Sequence, residues 1–290
     1  MISGNLREQS IKRLVEAGID KDDARFDIDL LLEHFDSEGD EAFLDAVKER
    51  AEGKPSAYII GHKCFYMDDF NVVPGVLIPR SDTEILVESA LKFMGAVTFP
   101  MGDVALIPEH ERTSSYEVAD LCTGTGCIGI SVAKCMHDAG IDINMTIADI
   151  SDVALECAKS NLNRVYGHNV VAKKFNVLAD DYINISGNKL DAIISNPPYI
   201  TDSEMEELPF DVKNFEPDLA LRAKQDGLEF YYELAKRSKV ALKEGGALIV
   251  EHGYLQGRAV REIFETNGFT DVVTIKDYGG NDRVTFGRVK

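Results

Sequence analysis

Between residues 116 and 195 the sequence switches repeatedly between two hydrophobic periods, and this limits the folds open to it more than any other feature. YEVADLC and NMTIADI read as buried strands, while CIGISVAKCMHDAG and SDVALECAKSNLNRV read as helices. KKFNVLADD and KLDAIISNPPYI follow them. Parallel strands need long crossovers, and helices supply them, so the alternation predicts a mostly parallel sheet covered on both faces. Downstream, GLEFYYELAKRSKVAL is helical, GGALIVEHG is a strand and GRAVREIFETNG is helical again. VVTIKDYG and DRVTFGRV close the chain as a pair that can add an antiparallel hairpin to the sheet.

The first part of the chain follows another pattern. IKRLVEAGI, ARFDIDLLLEHF and EAFLDAVKERA carry apolar residues three and four apart, which predicts a small helical domain over residues 1–52. It reads as a packing or partner-binding module. Residues 53–80, GKPSAYIIGHKCFYMDDFNVVPGVLIPR, read as a β-hairpin linker, and 81–290 as the α/β domain. Ser81 and Glu84 are spaced as a capping box, which puts Arg80 just before a helix. There Arg80 suits a structural salt bridge as well as a contact to a ligand carboxylate. Residues 95–115 show little periodicity and read as a surface excursion.

Charge narrows the partners. A formal net charge of -19 over 290 residues opposes binding to a phosphate backbone, so nucleic acid is not expected as the main ligand, and a basic protein partner fits the sign better. No segment has the length and apolarity of a membrane span, and MISGNLREQS lacks a signal-peptide core. The odd set of five cysteines fits no disulfide framework, so reduced thiols in the cytoplasm are expected. The six histidines form no zinc pattern with them, and no metal is implied.

GTGCIG, residues 124–129, lies between a strand and a helix. Glycines at Gly124 and Gly126 let the chain pass close to a ligand, and the helix that follows offers free N–H groups. Asp149 ends the next strand, where its carboxylate can accept from both hydroxyls of a ribose; Asp120 ends the strand before the turn. A nucleoside-bearing cofactor follows, although dinucleotide and methyl-donor enzymes both use such a turn. Asp180 and Asp181 come after a further strand and either can reach an adenine amino group, with Asp181 preferred.

NPPY, residues 196–199, ends another strand of the same sheet. The prolines stiffen the turn, so the Asn196 side-chain carbonyl and the Pro197 backbone carbonyl become two fixed acceptors. Two acceptors suit an NH2 group, and Tyr199 offers a surface for the flat group carrying it. Nothing here supports hydride transfer. An activated methyl on a sulfonium, by contrast, needs an approaching sp2 nitrogen whose partial charge carbonyls can accept. Glu251 and His252 also fall at a strand end, His252 with a structural role more than one in proton transfer.

Assembled, GKPSAYIIG, LIPRSDTEILVE, ADLCTGTGCIG, ADIS, SNPPYI, FEPDLAL, DGLEFY, EHG and DRVTFG closely resemble the class I, S-adenosylmethionine-dependent protein-(glutamine-N5) methyltransferases that modify peptide chain release factors. The resemblance implies a seven-stranded methyltransferase sheet behind a helical domain, with the glutamine of a Gly-Gly-Gln loop as substrate. It further implies that Asp120, Gly124 and Gly126 hold the methionine end of S-adenosylmethionine, Asp149 the ribose and the Asp181 region the adenine. Asn196 and Pro197 would hold the substrate amide beside Tyr199, with Arg80, Pro198 and Glu216 on the substrate side. Methylation of a ribosomal-protein glutamine is the nearest alternative, and adenine N6 methylation fits the acidic balance less well. Two positions depart from the pattern. Ser81 stands where proline is common, and Cys122 where glycine is usual, which implies that the turn needs closeness rather than left-handed geometry at Cys122.

Overall fold

A computed structural model describes residues 4–96 and 115–290. The chain begins with α1 (Gly4–Glu16), α2 (Lys21–Phe35) and α3 (Asp40–Ala51). Leu14, Ile28, Leu31, Phe43 and Val47 are fully buried between them, so these helices enclose a core of their own. Inside it Arg50 meets Asp27 at 2.6 Å, and Ser56 donates to the other Asp27 oxygen at 2.6 Å.

The 53–80 stretch holds a helix as well as the hairpin. Pro55 precedes and Gly61, at φ 80°, follows the short α4 (Ser56–Ile60), the usual punctuation of a helix start and stop. The hairpin is β1 (His62–Phe65) and β2 (Asp68–Asn71). The capping box expected at Ser81 does not form. Ser81–Thr83 make a 3-10 turn, α5 runs Glu84–Phe93, and no side chain caps it. The Glu84 carboxylate instead accepts from Tyr66 N at 2.9 Å, where φ is 58° and the hairpin turn leaves that N–H without a ladder partner. The excursion read over 95–115 lies almost wholly outside the described residues.

Seven strands form the main sheet: β3 (Ser115–Leu121), β4 (Asp142–Asp149), β5 (Val170–Lys174), β6 (Leu190–Ser195), β7 (Leu242–Glu251), β8 (Thr270–Lys276) and β9 (Asp282–Arg288). Their order is β5-β4-β3-β6-β7-β9-β8. The first five in that order are parallel; β9 is antiparallel to both β7 and β8. This is the mostly parallel α/β methyltransferase sheet with a C-terminal antiparallel hairpin, behind an N-terminal helical region.

Alternation along the strands explains both cores. Val118, Ala192, Ile194, Ala247 and Ile249 face α5 and α6 (Cys127–Asp138). Their neighbours Ala119, Leu121, Ile193, Leu248 and Val250 face away from these, toward helices placed later in the chain. After α7 (Asp152–Arg164) and β6 come the short α8 (Asp202–Glu207), α9 (Phe210–Phe215), α10 (Asp218–Leu221) and α11 (Lys224–Gly227). Then α12 (Glu229–Ala241) and α13 (Gly257–Thr266) cover the second face with Tyr231, Leu234, Val260 and Phe264. Each such side chain removed from water contributes about 1.5–3 kcal/mol.

Candidate functional site

The strand order reverses at β3, which has β4 on one side and β6 on the other, and a crevice opens there beyond the strand ends. Leu121 pairs with Ser195, and the Ser195 hydroxyl donates to Leu121 O at 2.7 Å. The next residues, Cys122 and Asn196, therefore leave the sheet side by side. Both line a cleft of about 1070 Å³, counting its part open to solvent.

Its floor is the glycine turn. Cys122 has φ 60°, so the position glycine usually fills is left-handed after all, and the reading that it needs only closeness is corrected. A Cβ at this φ crowds its own backbone, a cost of roughly 1–2 kcal/mol. Thr123 N reaches Ala148 O at 3.0 Å, and Gly124 N donates to Asp149 Oδ2 at 2.9 Å. Gly124 (φ 56°) and Gly126 (φ 82°) are also left-handed, and Gly126 caps α6. A Cβ on Gly129 would stand 2.6 Å from Ile147 Cγ2, so this glycine lets α6 lie against the sheet.

Asp149 lines the cleft with one oxygen on Gly124 N and the other accepting from Ser151 N at 2.9 Å. Burial pushes its carboxyl upward, against the N–H groups of Ser151 and Gly124. A carboxylate has about four acceptor positions, so two remain for hydroxyls. Asp120 is elsewhere. It is fully buried beneath the turn and takes no part in the cleft wall; its Oδ2 accepts from the Thr123 hydroxyl and from Gly129 N at 3.0 Å. Burial pushes it up to about 7, and Oδ1 has no hydrogen-bond partner among the described residues. It shapes the loop from below.

Beyond β5 the cleft wall is Phe175, Asn176, Val177 and Leu178. Asp181 does not reach it: its exposed carboxylate caps a 3-10 turn by accepting from Ile183 N at 3.2 Å. Asp180 likewise accepts from Asn176 N at 2.8 Å. Sequence reasoning favoured the charged doublet and passed over Asn176, although Asn176 lies nearer the strand end, where ligands of such sheets sit. Arg237 on α12 steadies this wall by donating to Leu178 O at 2.8 Å and Asp180 O at 3.2 Å.

The opposite wall comes from the segment after the hairpin: Gly75, Val76, Leu77, Pro79, Arg80 and Thr83. Arg80 pairs with the buried Glu216, whose other oxygen accepts from Ile78 N at 3.3 Å. Pro217, Leu219 and Ala220 follow Glu216 along the cleft. Asn161, fully buried on α7, ties the hairpin to the glycine turn. Its Nδ2 donates to Thr125 O at 2.9 Å and Asn71 O at 3.0 Å, and its Oδ1 accepts from Asn71 N at 2.7 Å. Nothing in the sequence pattern marked this residue.

At the β6 end, Asn196 and Pro198 line the cleft, and Pro197 is buried beside them. Asn196 Nδ2 lies 3.4 Å from the Thr83 hydroxyl, and among the described residues nothing donates to its Oδ1. The amide carbonyl is thus the end left for a ligand. Tyr199 stands just outside the cleft wall. Its N donates to Leu221 O at 3.2 Å, its O accepts from Gln256 Nε2 at 3.1 Å, and burial pushes its phenol up to about 12. His252 is fully buried, with Nδ1 3.0 Å from Gly253 O and Nε2 3.0 Å from the Thr285 hydroxyl, so both ring nitrogens are committed. Among the described residues no group of three metal-ligating side chains occurs, and no helix is long and apolar enough to cross a membrane.

The strand order, with a left-handed glycine turn and a strand-end carboxylate at its switch point, is that of an S-adenosylmethionine-dependent methyltransferase sheet. The comparisons agree with that class: the family model described as "Methyltransferase small domain" matches residues 98–210. The release factor glutamine methyltransferase of Clostridium acetobutylicum is 37% identical over 243 residues, covering 83% of this chain and 78% of the relative. That of Salmonella typhimurium is 34% identical over 286 residues, covering 93% and 94%. The Fusobacterium nucleatum enzyme of the same name is 38% identical over 238 residues, 81% of this chain but 60% of its own length. Among solved structures, a methyltransferase from Pyrococcus furiosus is 16% identical, with a TM-score of 0.44 over 71% of this chain and 98% of that one. The chain belongs to the release factor glutamine methyltransferase family.

Proposed function

We propose that the protein methylates the side-chain amide nitrogen of the glutamine in the Gly-Gly-Gln loop of a peptide chain release factor. The observation that carries this is Asn196: its NH2 is turned inward to Thr83, which leaves its carbonyl to accept from a substrate amide at the cleft. The family supports the substrate. S-adenosylmethionine, when bound, supplies an electrophilic methyl on a sulfonium. The cleft residues fit it: Gly124 has no side chain to fill the space toward Val76, and Asp149 keeps acceptor positions for ribose hydroxyls. In this reading Gly124 receives the methionine end, while Gly126, buried and outside the cleft wall with its N–H on Thr123 O, holds the turn together with Asp120, and Asn176 offers its amide to the adenine edge in place of Asp181.

Asn196 Oδ1 and the Pro197 carbonyl then hold the two hydrogens of the substrate NH2. This fixes the nitrogen, favours its pyramidal form and accepts the charge that grows on it. The surplus proton leaves after transfer, when the nitrogen has become acidic, so no strong base is required. Tyr199 buttresses the turn, Pro198 meets the substrate side, and the Arg80–Glu216 pair braces the wall facing it.

Incubation with purified release factor and labelled methyl donor, followed by mapping, is expected to find methyl-glutamine. Label on a ribosomal protein only, or on adenine, overturns the substrate. Asn196→Ala is expected to lower kcat about 10- to 100-fold, the cost of losing one acceptor in a desolvated site, while donor affinity measured by calorimetry stays within about twofold.

A further inference from the structure

β6 and β7 run in register with Ser195 opposite Val250, so the residues that follow, Asn196 and Glu251, emerge side by side. Glu251 is buried, with 2% of its surface exposed, and its Oε2 has no hydrogen-bond partner among the described residues. The polar groups that favour its charged form are the Thr83 hydroxyl and the Asn196 amide, together with the charge of Arg283. Thr83 also receives Asn196 Nδ2 at 3.4 Å.

An asparagine amide is nearly symmetric in shape, so packing alone does not decide which end points where. The neighbours' chemistry does. An ionised carboxylate only accepts, so it draws Nδ2 inward; the flipped amide would set oxygen against oxygen. We propose that Glu251, acting with Thr83, is the positioning residue that keeps the Asn196 carbonyl facing the cleft. This rests on the reading of Asn196 as the acceptor for the substrate amide. It adds the reason that acceptor is presented the right way round.

A protonated Glu251 could donate to Oδ1 and would release the orientation, so turnover should fall as pH drops through its titration. Burial pushes Glu251 up to about 7. The charged and titratable groups that face it are Arg283 on β9, itself held by Asp277 and Asp82, then Asp82 before α5, Tyr199 after β6, Tyr231 on α12 and Cys127 on α6. Arg283 favours the charged form; burial and Asp82 oppose it.

The test compares wild type with Glu251→Gln, whose side chain both donates and accepts, and with Thr83→Val and Thr83→Ser. The readouts are kcat on release factor from pH 5.5 to 8.5, donor affinity by calorimetry, and the Asn196 side-chain amide resonance, assigned by its loss in Asn196→Asp. Wild-type kcat is expected to show an acidic limb with a midpoint near 7. Glu251→Gln should lower kcat about tenfold or more and abolish that limb, with donor affinity kept within about twofold. Thr83→Val should follow it in kcat, and Thr83→Ser should recover. The Asn196 amide resonance should titrate in wild type and not in Glu251→Gln. Wild-type kcat and limb persisting in Glu251→Gln would overturn the proposal, as would parallel loss of kcat, donor affinity and thermal midpoint. If wild type methylates no glutamine, the substrate reading fails, and titration of the resonance still decides the role of Glu251.

Discussion

Cys122 carries a side chain at φ 60°, where its backbone would sit more easily as glycine. Cys122→Gly relieves that crowding but loses a half-buried thiol and frees the unfolded chain, so it is expected to leave stability unchanged or raise it by about 1 kcal/mol. Cys122→Val, β-branched, should lower it by about 1–3 kcal/mol; equal denaturation midpoints for the two variants would contradict the strain. Asp120 gives a second test at this scale. Burial raises its folded pKa to about 7 from an ordinary 3.8, so the folded state prefers the protonated form. Its contribution to stability is complete below about 4 and is lost as pH rises through about 7, on the order of 4 kcal/mol at most. Glu251, raised to about 7, adds in the same direction. Asp120→Asn keeps an acceptor for Thr123 and Gly129 and should flatten the fall in thermal midpoint between pH 5 and 8; an unchanged slope would exclude Asp120 as its source. The type of residue at each of these positions was readable in the sequence. Their φ angles and burial were not, because both depend on which strands lie alongside.

Among the elements, the wall of the cleft is built from two segments far apart in the chain. Residues 75–83 and 216–220 meet through Arg80 and Glu216, and Glu216 also holds Ile78 N. Glu216→Ala leaves a buried N–H and a guanidinium without their acceptor and is expected to cost about 1–3 kcal/mol in unfolding free energy, with weaker donor binding as the wall loosens. A variant as stable as wild type would show that the pair braces nothing. The longer helices and most strands from Tyr116 onward were legible because period and length agree there, but the four short helices between Asp202 and Gly227 and the start of β5 at Val170 were not, being too brief to show a period. The failed capping box at Ser81 and Glu84 shows the limit of local signals: the spacing was right, but Tyr66, distant in sequence, claimed the glutamate. Asp181 stands outside the cleft wall for a related reason. A carboxylate near a strand end looks like a ligand group, yet the nearest unsatisfied N–H groups were those of its own turn.

For the whole molecule, alternation of strand and helix made the sheet readable, and NPPY together with the glycine turn marked the strand ends between which the cleft opens. What stayed hidden were long-range ties between parts that the sequence presents as separate. Arg50 in the helical bundle reaches Asp211 at 3.5 Å, next to the loops of the cleft. Asn161 does more, because one side chain holds both the last residue of the hairpin and the carbonyl of Thr125. Any ligand that stills the glycine turn must then also still the hairpin's exit, although Asn71 itself lies outside the cleft wall. The Asn71 N–H becomes a remote reporter of occupancy: its hydrogen exchange is expected to slow by about tenfold on addition of S-adenosylmethionine, and an unaltered exchange rate would mean the two regions breathe independently.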